Sequence, residues 1–184
     1  PDGKYFFFGG GTASPVVAKT LTNDLIGPVV DELKKIDGPE AANVKTIVDY
    51  IDGMNTMADK TEGAAFGIIQ PTGPLGVEAI IQSLTIIHGD SAALKDSYTK
   101  AMQASSEISK LASGNELTDV KTTITPAART IDGVAFDQYK VDMIFDPAKP
   151  EAAQMKQMMT FMYGPDGTTQ YVAPIDAKNT MVFM

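Results

Sequence analysis

Apolar residues recur along this chain with two periods, one near 3.6 and one near 2, and the places where one gives way to the other mark its elements. Lys4 to Phe8 is aromatic-rich, with Asp2-Gly3 before it and Gly9-Gly10-Gly11 after it. That predicts a buried strand running into a tight turn. A helix is expected next: Thr12 or Ser14 as cap, Pro15 in the first turn, and Val17, Leu21 and Leu25 at helical spacing. Gly27-Pro28 kinks or ends it. A second helical run, Val29 to Ile36, stops at Asp37-Gly38-Pro39, and a third places Val44, Ile47, Val48, Ile51 and Met54 on one face.

From Gly63 the texture changes. "GAAFGIIQ" and "VEAIIQSLTIIHG" flank the turn-forming "PTGPLG", which fits a hairpin. In the second run Val77, Ile80, Ile81 and Leu84 also have helical spacing, while Ile80, Ile81, Ile86 and Ile87 favour a strand. The strand is the reading carried forward. After Ser91 the period is helical: Leu94, Tyr98, Ala101, Ser105, Ile108 and Ala112 form one stripe that Gly114 ends. "VKTTITPAARTI" and "VAFDQYKVDMIF" then flank Asp132-Gly133, the strongest hairpin signal in the chain. In the second of these, Tyr139, Val141, Met143 and Phe145 alternate with Gln138, Lys140, Asp142 and Ile144, so one face is apolar and the other mostly wet. Pro126 puts its strand at an edge or a bulge. Pro150 to Tyr163 reads as a short helix stopped by Gly164-Pro165, and "TTQYVAPIDAKNTMVFM" as two short strands.

The order is strand, helices, hairpin, helix, hairpin, helix, strands. It predicts an α+β fold with a largely antiparallel sheet packed by helices. We expect a single domain over residues 1–184, or two small modules sharing one sheet, with a soft internal division near residue 62. "DGKYFFF" and "DAKNTMVFM" both run from an acid through Lys into a strand, an echo that suggests a repeated or permuted hairpin–helix unit. The chain begins at Pro1 and stops in a strand, so a fragment of a longer chain is the expectation.

Charge narrows the function classes. Acids outnumber bases 23 to 15, for a net charge of −8, and Arg129 is the sole guanidinium. Such a chain repels nucleic acid, which is therefore not an expected partner. No run of about 18 apolar residues suggests a transmembrane segment. The absence of cysteine removes thiol nucleophiles, disulfides and thiolate metal sites, and the single histidine, His88, leaves triads and zinc sites short of their usual parts. No cofactor or metal is expected.

Several motifs invite chemistry and are explained more simply. Gly9, Gly11 and Ser14 approach a dinucleotide fingerprint but lack its third glycine and a second parallel strand ending in an acid. Gly89-Asp90-Ser91 resembles the block of GDSL-type esterases over three residues, with Ser91 in the place of the nucleophile. Ala92 stands where that family has Leu, and no downstream Asp-x-x-His follows, so Asp90 or Ser91 reads as an N-cap. The five Asp-Gly pairs, at Asp2, Asp37, Asp52, Asp132 and Asp166, are read as turns, since none sits in a calcium loop. Asp137, Asp142 and Asp146 cannot share one strand face, which leaves no carboxylate pair. His88 reads as a strand-end or capping residue. Met155, Met158, Met159 and Met162 recur at helical spacing beside Phe161 and Tyr163. They form a face laid on a sheet, a pliable groove for an apolar ligand, or soft ligands to Cu(I).

The succession "GAAFGII", "LTIIHGDSAALKDSYTKAM", "TIDGVAFDQYKV" and "TQYVAPIDAKNTMVFM" resembles uncharacterised exported bacterial proteins in which hairpin–helix units repeat. That resemblance implies an extracytoplasmic location (periplasmic, secreted or cell surface), a domain of unknown function, and no catalytic residues. The resulting expectation is a non-catalytic binding or interaction module with a protein partner. The alternative is a carrier of a small apolar ligand held by Met155, Met158, Met159 and Met162 between sheet and helix. A serine esterase using Ser91 ranks third.

Overall fold

A computed structural model of the chain describes residues 5–12, 14, 20, 24, 26–38, 41–69, 82–112, 117–150, 152–164 and 167–184. The fold is α+β. Its elements in chain order are β1 (Tyr5–Thr12), α1 (Gly27–Leu33), α2 (Ala41–Lys60), β2 (Thr61–Ile69), β3 (Gln82–Gly89), α3 (Ser91–Ala112), β4 (Leu117–Ile131), β5 (Val134–Phe145), α4 (Ala152–Tyr163), β6 (Thr168–Pro174) and β7 (Asn179–Phe183). The seven strands form one sheet in the order β1-β2-β3-β7-β6-β5-β4, and every pairing is antiparallel. The sheet continues across position 62, because β1 pairs with β2.

Residues two apart on a strand share a face, so register assigns every side chain to one of two sides. α3 crosses the side that carries Asp137, Tyr139, Val141, Gln170, Val172 and Thr180. Lys95 of α3 meets Asp137 at 2.7 Å, Thr99 Oγ1 bonds the Tyr139 hydroxyl at 2.6 Å, and Thr180 Oγ1 donates to the Ser91 carbonyl at 3.4 Å. Tyr98 donates to Gln170 and meets the Tyr139 ring edge-on. Burial pushes the Tyr98 hydroxyl far above its usual range, with the neighbouring Tyr139 adding to the effect, so this ring stays neutral. Leu94, Val120, Tyr139 and Val172 are fully buried here and form the centre of the core.

α2 packs on the outer side of α3. The two helices cross where Gly53 faces Ala101, small residue against small. α1 adds a satellite core: Val30 joins Val44 and Val48, with Ile26, Leu33 and Ile51 around them. The face expected from the spacing of Val44, Ile47, Val48 and Ile51 thus holds its apolar partners, while Met54 is 37% exposed at its margin.

Three expectations fail. The strand expected to be buried at Lys4–Phe8 is an edge strand, with Phe7 51% and Phe8 57% exposed. The three glycines after Phe8 do not turn: β1 continues through Gly9, Gly10 and Gly11 to Thr12, one of the two residues read as a helix cap, paired with Phe66, Ala65, Ala64 and Gly63. The reason is close approach. A Cβ on Gly10 would lie 3.1 Å from the Ala64 carbonyl oxygen, and one on Gly63 would lie 3.0 Å from that of Gly11. The glycines let the two backbones sit together. Asp52-Gly53 is not a turn either. It lies inside α2, where helical neighbours on both sides and the contact with α3 override its local preference. The expected helical positions Val17, Leu21 and Leu25 lie outside the described residues, as do Asp2-Gly3, Asp166 and Val77–Ile81.

Several other expectations meet direct counterparts. Gln82–Gly89 is a strand, and Asp132-Gly133 makes a hairpin turn with φ values of 49° and 82°. β4 is an edge strand, with a register break between Thr125 and Arg129 that accommodates Pro126. Ala127 within that bulge has φ 49° and donates its N–H to Asp137 Oδ1 at 3.0 Å. Asp90 caps α3 through its Oδ1, which accepts from Ala93 N at 3.1 Å.

Candidate functional site

Register builds one row that crosses all seven strands on the side of the sheet opposite α3. Phe8 pairs with Gly67, Gly67 with Leu84, Leu84 with Phe183, Phe183 with Tyr171, Tyr171 with Gln138 and Gln138 with Thr125. α4 reaches this face at the β5–β6 end, where Tyr163 shares a cleft with Gln138 and Thr169. Tyr171 and Phe183 stack with ring centroids 5.1 Å apart and planes at 18°, and Phe136 meets Phe183 edge-on at 5.2 Å. The β4 bulge brings the single guanidinium of the chain onto this stack. Arg129 stands 5.7 Å from the Tyr171 centroid and 5.8 Å from that of Phe183.

Beside the stack is a cleft of about 510 Å³ lined by Gln138, Lys140, Tyr163, Thr169, Tyr171 and Met184 among others. Three devices place these groups. The alternation of β5 puts Gln138 and Lys140 on the open face. β6 supplies Thr169 and Tyr171 at the same phase, and Tyr163, the last residue of α4, forms the wall. Gln138 Nε2 donates to the Tyr171 hydroxyl at 3.2 Å, and Lys140 pairs with Asp142 at 3.2 Å. Thr169 Oγ1 is buried without a hydrogen-bond partner among the described residues, a cost of about 1–3 kcal/mol for a polar atom left unmet.

The methionines of α4 do not converge on one groove. Met159 lines a smaller cleft of about 210 Å³ with Lys140, Asp142 and Thr160, below the size usual for a ligand pocket. Met158 is 50% exposed on the outer side, beside Phe161 at 46%, and Met155 and Met162 are half-buried. Ser91 is only 4% exposed at the start of α3. His88 lies at the end of β3, with Nδ1 3.0 Å from Asn179 Oδ1 and Nε2 3.3 Å from Glu62 Oε2, so both ring nitrogens face side-chain oxygens in an ionic and polar network. Among the described residues no group of three or more His, Asp or Glu is placed to hold a metal ion, and no helix is long and apolar enough to cross a membrane.

Apart from Tyr163, named beside the methionines, the cleft residues are absent from the sequence-derived candidates. Their signal was a phase conflict: Phe136 is in step with the polar positions Gln138, Lys140 and Asp142, so an aromatic ring sits on the face read as wet. Comparison with protein families, with curated proteins and with solved structures found no match.

Proposed function

We propose that this protein is a non-catalytic, extracytoplasmic binding module that engages its ligand or partner through the open face of the sheet. The observation that carries this reading is the cross-strand row of Leu84, Phe183, Tyr171 and Gln138, with Arg129 above the rings and a cleft beside it. Aromatic groups and an arginine gathered on one sheet face are what recognition surfaces use, and the single histidine has both ring nitrogens turned to oxygens of Asn179 and Glu62. Native mass spectrometry on protein purified from its natural source, beside the same sample denatured, tests it. A bound species should be retained, lost on denaturation, and lost from a Tyr171→Lys variant that still folds. A species bound equally by that variant refutes the reading. Cell fractionation tests the location.

A second reading, a carrier of an apolar ligand, is supported by the exposed Met158 and Phe161, which border a surface hollow of about 680 Å³ on α4. It expects a fluorescent fatty acid to bind and Met158→Gln to weaken it.

A further inference from the structure

Resting on the open-face reading, we infer that the cleft between β5, β6 and the end of α4 receives an uncharged, ring-shaped polyhydroxyl ligand: a sugar ring or short glycan. Charge comes first. The one ionic side chain among the described lining residues, Lys140, is matched by Asp142 at 3.2 Å, so that side chain is not an unopposed charge for a carboxylate or phosphate. Arg129 is stationed over the rings, outside the lining residues. The net charge of −8 adds a field that disfavours anions.

Hydrogen-bonding capacity comes second. Gln138 spends one N–H on the Tyr171 hydroxyl, leaving its other N–H and its carbonyl oxygen for a ligand. The Tyr171 hydroxyl accepts that bond and keeps its own O–H to donate. Thr169, also in the lining, holds a buried hydroxyl with no partner among the described residues. Donors and acceptors therefore alternate along the wall. A ligand hydroxyl, which both donates and accepts, satisfies such a wall; an acceptor-only anion leaves the Gln138 carbonyl unpaired, and a hydrocarbon leaves every group unpaired. Shape comes third. The Tyr163 and Tyr171 rings give flat apolar surface for the C–H face of a sugar ring, and about 510 Å³ falls within the range of ligand pockets.

The test is an amide-resolved NMR titration of the full chain with cellobiose, maltose and N-acetylglucosamine, beside benzoate as an anionic ring and anilinonaphthalene sulfonate as an apolar probe. At least one sugar should produce saturable shifts centred on Gln138, Lys140, Tyr163 and Thr169–Tyr171. Gln138→Ala, with an otherwise unchanged spectrum, should bind about tenfold more weakly, the effect of roughly one net hydrogen bond. Tyr163→Leu should weaken binding as well, and it lies at a helix end where folding is least at stake. If only benzoate or the naphthalene probe moves these amides, the sugar assignment falls while the open face stands as a binding surface. A sugar that binds elsewhere, or that binds Gln138→Ala unchanged, also overturns it. If no probe moves any amide of the face, and the purified protein retains no bound species, both readings fall together.

Discussion

Replacing Gly53 with alanine should make this protein more stable, although the residue sits where two helices cross. Glycine in the middle of a helix costs about 0.8–1.0 kcal/mol relative to alanine, because the unfolded chain is freer at that position. The usual reason to retain it is steric, and here the space is adequate. A Cβ at Gly53 would lie 3.9 Å from the Ala101 nitrogen and 4.0 Å from its Cα, ordinary van der Waals distances. The new methyl therefore gains contact with α3 instead of wedging the helices apart. We expect Gly53→Ala to add about 1 kcal/mol, a rise in midpoint temperature of about 2–4 °C for a chain of this size. Urea denaturation should show a higher midpoint with an unchanged slope. A midpoint below that of the parent would refute the reasoning, since it would mean that α2 and α3 cannot accept a methyl group between them.

Other substitutions should go in either direction. Gly89→Ala should destabilise by at least about 2 kcal/mol in the same urea assay, because its Cβ would overlap the Lys60 carbonyl oxygen at a backbone φ of 157°. A loss under 0.5 kcal/mol would show that the β2–β3 junction yields easily. Ala127→Gly should stabilise by about 0.5–1 kcal/mol, since the native φ of 49° is left-handed and costs a residue with a Cβ about 1–2 kcal/mol. Acidification should weaken the fold. Burial by itself would raise the Asp137 carboxyl, but hydrogen bonds from Lys95 and the Ala127 N–H, with the Lys95 charge, hold it below the usual range. Asp176 is lowered by hydrogen bonds from the Asn179 side chain and the Lys178 and Asn179 backbone. With both folded-state values depressed, their stabilisation is present above the ordinary carboxylate range and is lost as pH falls through the folded-state values. Asp137→Asn should flatten that acid limb of a stability–pH curve; an unchanged limb would remove Asp137 as a contributor.

Local patterning made much of the fold legible. The alternation of Gln138 to Ile144 fixed the faces of β5, Asp132-Gly133 fixed the β4–β5 hairpin, and the stripe from Leu94 to Ala112 fixed α3. What patterning misread was decided by distant partners. Gly9–Gly11 turn in isolation and extend only because Ala64–Phe66 lie alongside. Asp52-Gly53 is helical because α3 lies against it. The cleft was hidden for a related reason. Gln138, Lys140, Thr169, Tyr171 and Tyr163 come from two strands and a helix end, and only register brings them to one wall, whereas Met155–Met162 advertise themselves by simple recurrence.

The two strands at the centre of the sheet, β3 and β7, come from chain positions as far apart as Leu84 and Phe183. On either side lie the leaves β1–β3 and β4–β7, in which β1–β2 encloses α1 and α2 and β5–β6 encloses α4, with α3 as the tether between them. Closing a seam between segments so distant costs more chain entropy than zipping either leaf, so the middle of this sheet is expected to join last. Phe183 and Met184 lie on that seam, held by backbone bonds between Met184 and Ser83 in both directions at 2.9 and 3.3 Å. The aromatic stack and the cleft belong to the β4–β7 leaf, whereas the row beyond Phe183, from Leu84 to Phe8, joins it only when the seam closes, so recognition across the whole row would report that folding is finished.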